Sequence, residues 1–410
     1  MVTGIEAINA YVGRTFIDIK ELFCARNLNI DRFENLMMLE KSINLPCEDP
    51  VTNAVNAAKP LIDALDEKER NRIEMVITSS ESGLDFGKSL STYIHHYLGL
   101  SKHCRLFEVK QACYGGTAAL QMAINYIASG VSPGAKVLVI TSDVARAAAK
   151  MTYLEPSQGV AAVAMLIGEK PDIFTVDFGA NGLYGYEVMD SCRPLPEIET
   201  GDSDLSLLSY MDCLENSFKH YASRVADTDF QDSFDFLAFH TPFAGLVKAS
   251  HRKLMRELKK VSPQECEADF KKRIEPSLSY CRHVGNIYSG TVYLALAGLI
   301  ASGDYDVTKR VGLFSYGSGC SSEFFSGKIT PLSKQKVIAM DIEKQLKERK
   351  KLSIAEYDRI LDQNMEWVFG VKDKTVDLSP FAVIYEEQFH NKKLLRLDKI
   401  NNYHREYIWS

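Results

Sequence analysis

The chain has 410 residues, of which 46% are hydrophobic and 25% charged, and its formal net charge is -6. This composition is typical of folded globular proteins and excludes a disordered chain and a fibrous repeat. A mildly acidic chain is a poor candidate for general binding to nucleic acid or membrane surfaces, and the length provides for two hydrophobic cores.

Neither the N-terminus nor the cysteines indicate export. The opening MVTGIEAINAYVGRTF has no basic stretch followed by an apolar one, so we expect no signal peptide. The longest apolar run, 292–301, is too short to span a membrane. The nine cysteines are odd in number and scattered, and none forms a C-x-x-C pair. We therefore expect no disulfide framework and no metal site, and we expect a reducing cytoplasm.

Two parts of the chain repeat one pattern of elements. A strand ending in a polar turn is followed by a helix of small residues and two buried strands, at 74–83, 113–130, 136–143 and 159–170, and again at 234–245, 286–303, 310–319 and 321–329. Both helices end in Ile-Ala-Ser-Gly, where the glycine is a typical stop. Similar composition alone can produce such likeness, but the shared order favours duplication. We expect two α/β halves, 1–170 and 171–410, with one site between them.

Three further segments are predicted to be helical. Residues 205–225 are amphipathic, 251–274 form two helices broken at Ser262 and Pro263, and 334–352 form one charged helix.

Cys113 is the candidate nucleophile. It follows a predicted strand at 106–112 and opens a helix, whose N-terminus lowers the pKa of a thiol. Gly115 and Gly116 would let a substrate approach the backbone closely. Most cysteines are buried structural residues, but this position favours a reactive one.

His240 and Asn286 occupy the matching places in the second half. His240 ends a strand, where the sites of α/β proteins gather, and Asn286 begins the second helix as Cys113 begins the first. An isolated histidine is more often structural. Together, a cysteine, a histidine and an asparagine at these ends indicate acyl transfer through a cysteine thioester, with hydrogen bonds to a second substrate's carbonyl.

Glu81 and a glycine turn complete the candidate site. Glu81 follows the strand that is the counterpart of the His240 strand, although most such loop carboxylates are simply solvated. Gly317 and Ser318 lie in a tight turn, whose N–H groups would join that of Cys113 in an oxyanion hole.

QACYGGTAAL, with Glu81 upstream and HTPF, GNIY and SYGSG downstream, resembles the 3-hydroxy-3-methylglutaryl-CoA synthase family over nearly the whole chain. The resemblance implies the thiolase fold, a duplicated five-layer α/β/α/β/α architecture. It also implies Glu81, Cys113 and His240 as catalytic residues, with Asn286, Gly317 and Ser318 binding substrate. The family uses no permanently bound cofactor, and homodimers are expected from it.

MLEKSINLPCEDPVTNAVNAAKP, SESGLDFGKSLSTYIHHYLGL, YGYEVMDSCRP and GDSDLSLLSY look like the branch that installs β-branches on polyketides. That branch uses acyl carrier proteins, whose phosphopantetheine arm, like coenzyme A, carries the substrate. The stretch 143–163 departs from it, being shorter and less glycine-rich, which bears on acceptor scope.

The resemblance implies the following reaction. Cys113 takes acetyl from a donor carrier protein, and Glu81 removes a methyl proton. The enolate attacks the β-ketone of a polyketide on an acceptor carrier protein while His240 holds, polarises or protonates its oxygen. Water then releases Cys113.

An acidic enzyme must meet an acidic carrier protein with local positive charge. Arg32 and Arg256 are the candidate docking residues, and Lys248 the candidate on the path of the arm, although basic residues on a helix such as 251–260 are more often simply solvated.

Three other functions stay open at this point. A mevalonate-pathway synthase would use acetyl-CoA and acetoacetyl-CoA with the same trio. An initiating ketoacyl synthase would use malonyl decarboxylation and need no Glu81. A scaffold that has lost activity would not acetylate Cys113.

Overall fold

The computed structural model describes residues 2–145, 149–195, 198–367 and 370–410. In the first 170 residues, the strands are β1 Gly4–Tyr11, β2 Thr15–Asp18, β3 Glu40–Ile43, β4 Ile73–Ser79, β5 Arg105–Val109, β6 Lys136–Asp143 and β7 Ala161–Gly168. The helices there are α1 Ile19–Ala25, α2 Asp31–Leu36, α3 Pro50–Asp63, α4 Glu67–Arg70, α5 Leu90–Tyr97 and α6 Gly115–Ala128.

The remainder follows the same alternation and adds a C-terminal helical region and hairpin. Its strands are β8 Phe174–Gly185, β9 Ser191–Leu195, β10 Ile198–Gly201, β11 Phe236–Phe239, β12 Lys309–Gly317, β13 Ser321–Ile329, β14 Lys350–Lys351, β15 Lys374–Thr375, β16 Leu395–Asn401 and β17 His404–Trp409. Its helices are α7 Ser203–Arg224, α8 Ala244–Lys259, α9 Pro263–Arg273, α10 Leu278–Val284, α11 Thr291–Ser302, α12 Pro331–Ile338, α13 Ile342–Glu348, α14 Ile354–Asn364 and α15 Ala382–Gln388. Short 3-10 helices include Tyr288–Gly290, just before α11.

The large sheet repeats one order of strands. In the first part the order is β4, β6, β7, β1, with β4 parallel to β6 and the other neighbours antiparallel. The second part has β11, β12, β13, β8 with the same directions. The two parts join where β1 pairs with β8 over two residue pairs, and β5 extends the first part only. We propose that this repeat divides the chain into two related halves at residues 170 and 171.

Alternation along the buried strands produces the layers. In β6, Val137 and Val139 face a core shared with α6 and α11, whereas Leu138 and Ile140 face the core that contains α3. In the second part, α7 packs on the opposite face of β8 and β13. The order α3, sheet, α6 with α11, sheet, α7 is the five-layer α/β/α/β/α arrangement that the resemblance implied.

Most predicted helices are confirmed. Residues 203–224 form α7, and Ser262 caps α9 with Pro263 in its first turn, which breaks the segment as predicted. The single helix predicted at 334–352 is wrong, because α12 and α13 are separated near Asp341, whose φ is 53°. No glycine or proline in that segment signals the break.

No helix among the described residues is long and apolar enough to cross a membrane.

Candidate active site

The site forms at the starts of α6 and α11, where elements of the two parts of the chain contact each other. Ser79, at the end of β4, lies 3.1 Å from Ser289 through their hydroxyl oxygens. Thr117 on α6 donates to the Ser315 hydroxyl at 2.8 Å and lies 2.8 Å from the Tyr293 hydroxyl on α11. These buried hydrogen bonds fix the ends of both halves against each other.

The turn that carries Cys113 is strained. Strand β5 ends at Val109 and α6 begins at Gly115, and between them Ala112 adopts a left-handed φ of 42°. Such a conformation is unfavourable for alanine and is typical of functional turns. The result is a cysteine presented just ahead of the helix.

The two glycines after this turn serve packing. A Cβ at Gly115 would lie 2.4 Å from Ser79 Oγ, and one at Gly116 would lie 2.6 Å from Thr141 Cγ2. Both glycines are buried. The expectation that they admit substrate is therefore wrong: they let α6 approach β4 and β6.

Cys113 and Glu81 form a direct pair. The Cys113 thiol donates to Glu81 Oε1 at 3.1 Å. Burial, followed by the negative charge of Glu81, raises the pKa of the Cys113 thiol well above its ordinary value. The expectation that the helix N-terminus lowers this pKa is therefore wrong for the resting site, since burial and a carboxylate outweigh it. A thiolate forms here when the proton moves to a base such as Glu81.

Asp143 lies beside Glu81. Its Oδ1 accepts the backbone N–H of Glu81 at 2.7 Å and the hydroxyls of Ser80 and Ser82 at 3.1 and 3.0 Å. Burial, and secondly the charge of Glu81, raise the pKa of Asp143 to about 8. Burial thus favours the neutral form of this carboxyl, and its hydrogen bonds fix the Glu81 loop.

His240 is a neutral, buried ring. Its backbone N–H donates to Phe314 O at 2.7 Å, which aligns the ends of β11 and β12, and the Tyr210 hydroxyl donates to its carbonyl at 2.7 Å. The residue is 2% exposed, and burial lowers the pKa of its imidazole to about 3. Its Nδ1 has no hydrogen-bond partner among the described residues. Such a ring can hold and polarise a carbonyl oxygen, but it is a poor source of an imidazolium proton.

The glycine turn packs on the Cys113 turn. A Cβ at Gly317 would lie 2.5 Å from the backbone nitrogen of Tyr114. Asp190 secures the turn by accepting the Gly319 N–H at 2.9 Å and the Tyr316 hydroxyl at 2.7 Å. Ser318, between the two glycines, is thus held near the cysteine.

The side-chain oxygen of Asn286 is occupied by hydrogen bonds within its own turn. Its Oδ1 accepts the Tyr288 N–H and the Thr291 hydroxyl, both at 2.9 Å. Its backbone N–H donates to Ser157 O at 2.7 Å. The side of Asn286 that remains for a ligand is its amide N–H₂ group, which suits a carbonyl oxygen.

The other candidate residues lie outside this cluster. Lys248 on α8 pairs with Glu267 of α9 at 2.9 Å. Arg32 on α2 stacks on Tyr153 at 4.3 Å from the ring centre, and Arg256 lies near the end of α8. Their roles stay predictions.

Several polar residues of this site were not singled out from the sequence. Asp143 ends a strand at the same edge as Glu81, so strand position was an available signal. Arg193 and Asp190 lie in YEVMDSCRP, which is far from the other motifs in sequence. Only the fold places them at the site. Residues 146–148 of the divergent stretch 143–163 lie outside the described residues. No group of three or more His, Cys, Asp or Glu among the described residues could hold a metal ion.

Comparison with known proteins gives one consistent result. Residues 2–172 match the N-terminal region of hydroxymethylglutaryl-coenzyme A synthase, and residues 254–405 match its C-terminal region.

Individual relatives span both regions. The chain is 52% identical to the polyketide biosynthesis 3-hydroxy-3-methylglutaryl-ACP synthase PksG of Bacillus subtilis, over 99% of each chain. It is 33% identical to the hydroxymethylglutaryl-CoA synthase of Enterococcus faecalis, over 89% of this chain and 93% of that one.

Its structure is similar to that of the HMG synthase of the curacin biosynthetic pathway in complex with holo donor-ACP, with a TM-score of 0.98, 51% identity and full coverage of both chains. The fold is therefore thiolase-like, and the chain belongs to the hydroxymethylglutaryl-CoA synthase family of enzymes that join acyl groups through a new carbon–carbon bond.

Proposed function

We propose that the protein adds an acetyl-derived carboxymethyl group to the β-ketone of a polyketide intermediate held on an acceptor carrier protein. The donor is acetyl on the phosphopantetheine arm of a second carrier protein. The observation that carries the proposal is the Cys113 thiol donating to Glu81 at 3.1 Å, in a chain 52% identical to a polyketide HMG-ACP synthase.

The Cys113–Glu81 pair suits both stages of this chemistry. Cys113 attacks the acetyl thioester and its proton passes to Glu81, while the donor thiol leaves. Once Glu81 has released that proton, it takes one from the methyl group of acetyl-Cys113, and the resulting enolate oxygen meets the backbone N–H groups of Cys113 and Ser318. The enolate carbon attacks the acceptor ketone, whose oxygen His240 polarises, and the alkoxide takes up the proton that Glu81 removed from the methyl group. Water then cleaves the Cys113 thioester.

Asn286 and Ser318 are placed to bind the substrates. The amide N–H₂ of Asn286 is oriented by the bonds that occupy its oxygen. Ser318 lies in the turn that packs on Tyr114, next to the nucleophile. We propose that both residues bind the thioester carbonyls of the substrates and the phosphopantetheine arm.

The surface of α8 is the proposed docking site for the donor carrier protein. Arg252 and Arg256 line a groove of about 520 Å³ with Met211 and Ala249. Within the described ranges, no acidic oxygen lies within ion-pairing distance of either guanidinium, whereas Lys253 in the same groove is paired with Glu215. Arginines without an acidic partner are available to the carboxylates of an acidic protein.

Arg32 borders the same surface. Helix α2 packs tightly on the start of α8, since a Cβ at Gly245 would overlap the carbonyl of Asn35. We therefore extend the proposed docking face along α8 from Arg256, through Lys248, to Arg32 on α2.

A second copy of the chain is the proposed partner at β5. One edge of β5 pairs with β4, and no described strand pairs with the other edge. Phe86, in the loop before α5, and Met122, on α6, are 90% and 47% exposed. An unprotected strand edge and exposed apolar side chains favour burial in a homodimer. We place the protein in the cytoplasm, in keeping with nine free cysteines.

The test is donor choice, read as the mass of the intact enzyme. We expect acetyl-carrier protein to acetylate Cys113 faster than acetyl-CoA, and addition of a β-ketoacyl carrier protein to convert that acceptor. Faster loading from acetyl-CoA with turnover of acetoacetyl-CoA would favour the mevalonate-type enzyme. Carbon dioxide release from a malonyl donor would indicate a ketoacyl synthase.

A further inference from the structure

Arg193 joins Glu81 to a hairpin beside the site. The hairpin consists of β9 and β10, which pair in antiparallel fashion. Arg193 Nη1 donates to the backbone oxygen of Glu81 at 3.2 Å and lies 3.6 Å from its Oε2. Its Nη2 lies 3.2 Å from Glu199 Oε2 on β10.

The surroundings of this guanidinium are those of a permanently charged group. The side chain is 13% exposed, and its Cζ lies 5.3 Å from the centre of the Tyr288 ring. Burial opposes its charge, but Tyr288, Glu199 and Glu81 together raise the pKa of Arg193. Glu199 is in turn fixed by the amide of Gln158, which donates to both of its oxygens.

Two titratable groups besides Arg193 face Glu81 in the described part of the chain. The Cys113 thiol donates one hydrogen bond from the turn before α6, and Asp143 at the end of β6 accepts the Glu81 N–H. Burial, and secondly the charge of Glu81, raise the pKa of Asp143, and when Asp143 is ionised its charge opposes that of Glu81. Arg193 on β9 supplies the positive charge nearest this carboxylate among the contacts described here, with Glu199 on β10 partly offsetting it.

We propose that Arg193 is a positioning residue for the general base: it keeps Glu81 ionised and directed at Cys113, and ties the β9–β10 hairpin to the site. This inference rests on the proposed role of Glu81. Glu81 contacts the reacting atoms, and Arg193 acts on them only through Glu81. Loss of Arg193 therefore changes the pH range in which Glu81 is ionised, while Glu81 remains the base.

The experiment measures exchange of the methyl protons of acetyl-Cys113 with D₂O across pH, with no acceptor present. Glu81 removes a methyl proton to give the enolate, the protonated carboxyl exchanges with solvent, and deuterium returns to carbon. The mass gain of the Cys113 peptide, divided by the acetylated fraction, gives a rate that is independent of loading and hydrolysis.

We compare wild type with Arg193→Gln, Arg193→Lys and Glu199→Gln. In Arg193→Gln the rising limb of the exchange profile moves up by about one to three pH units, because an opposite charge near a carboxyl is worth that much. At pH values below the rising limb, the exchange rate then falls by about tenfold or more. In Arg193→Lys the rising limb returns to its wild-type pH. Glu199→Gln loosens the hairpin but keeps the positive charge, so the limb does not move to higher pH.

The outcomes separate this inference from the proposed function. Loss of exchange in Glu81→Gln, with an unshifted limb in Arg193→Gln, overturns the role of Arg193 and leaves Glu81 as the base. Normal exchange in Glu81→Gln overturns the role of Glu81 itself. If Arg193→Gln does not fold, Arg193→Met offers the same loss of charge at similar length.

Discussion

At the residue scale, the site depends on where one proton lies between a thiol and a carboxyl. The 3.1 Å contact from Cys113 to Glu81 means that thiolate and carboxylate compete for it. Desolvation favours the neutral thiol, and the nearby negative charge reinforces that preference. The resting site therefore keeps the Cys113 thiol neutral.

This arrangement predicts slow alkylation of Cys113 at neutral pH. Only the thiolate reacts with iodoacetamide, so the rate at Cys113 should rise about tenfold per pH unit through pH 9 without levelling off. In Glu81→Gln the whole profile should move to lower pH, because a negative charge that raises the thiol pKa is gone.

Peptide mass spectrometry reads each cysteine separately, and exposed Cys24 on α1 serves as the internal reference. A plateau at Cys113 below pH 8 in the wild type would contradict the raised pKa.

The sequence predicted which side chains meet, but not their protonation. Glu81 and Cys113 could be found because strand ends and helix starts converge in α/β folds. The direction of the thiol pKa could not, because burial comes from the packing of both halves and the partner charge lies 32 residues upstream. Arg193 was missed for the same reason, since a hairpin with no chemical motif carries it into the site.

At the element scale, helix α8 links the site to the surface. It begins four residues after His240 and ends at Lys259, with Arg252 and Arg256 on the groove that it lines with Met211.

Charge reversal should weaken recognition of the carrier protein and leave chemistry intact. In the double variant Arg32→Glu with Arg256→Glu, loading from acetyl-carrier protein should fall by about tenfold or more, because repulsion slows encounter. Loading from acetyl-CoA should change much less. Lys68→Glu on α4, another exposed basic position, is the control. Equal losses with both donors would contradict docking at this face.

The glycine turn depends on Asp190. Asp190→Ala leaves the Gly319 N–H and the Tyr316 hydroxyl without their acceptor, which should cost about 1–3 kcal/mol for each group that stays buried. Misplacing the turn should lower condensation by about a hundredfold. Urea unfolding and acceptor conversion measure the two effects. Asp190→Asn can keep one acceptor and should be milder; equal effects of both changes would contradict a positioning role.

Element boundaries show what the sequence leaves open. The break at Ser262 and Pro263 was predictable from its capping box and proline. The end of β5 was placed too late, because Ala112 turns left-handed to present Cys113 and alanine gives no local sign of it. The break between α12 and α13 likewise depends on tertiary packing of Ile342 and Val337.

At the scale of the whole molecule, two halves contribute unequal groups to one site. The first brings the Cys113 thiol and the Glu81 carboxyl, and the second brings the neutral imidazole and the amide. The repeated strand order explains why these groups meet, since corresponding strand ends face each other across α6 and α11.

The free edge of β5 predicts a dimer. Light scattering should give twice the chain mass for the wild type, and Phe86→Lys with Met122→Lys should shift it toward the monomer because buried charges without partners are costly. Val383→Lys, a similarly exposed apolar position on α15, is the control. A wild-type monomer, or an unchanged mass in the double variant, would contradict pairing at β5.

We propose that one carboxyl, Glu81, turns acetyl-Cys113 into a carbon nucleophile. The most direct test supplies Glu81→Gln with acetyl-carrier protein and a β-ketoacyl acceptor carrier protein, then records both intact masses. We expect an enzyme that gains acetyl on Cys113 beside an acceptor that does not change. Conversion of the acceptor at the wild-type rate would contradict the proposal.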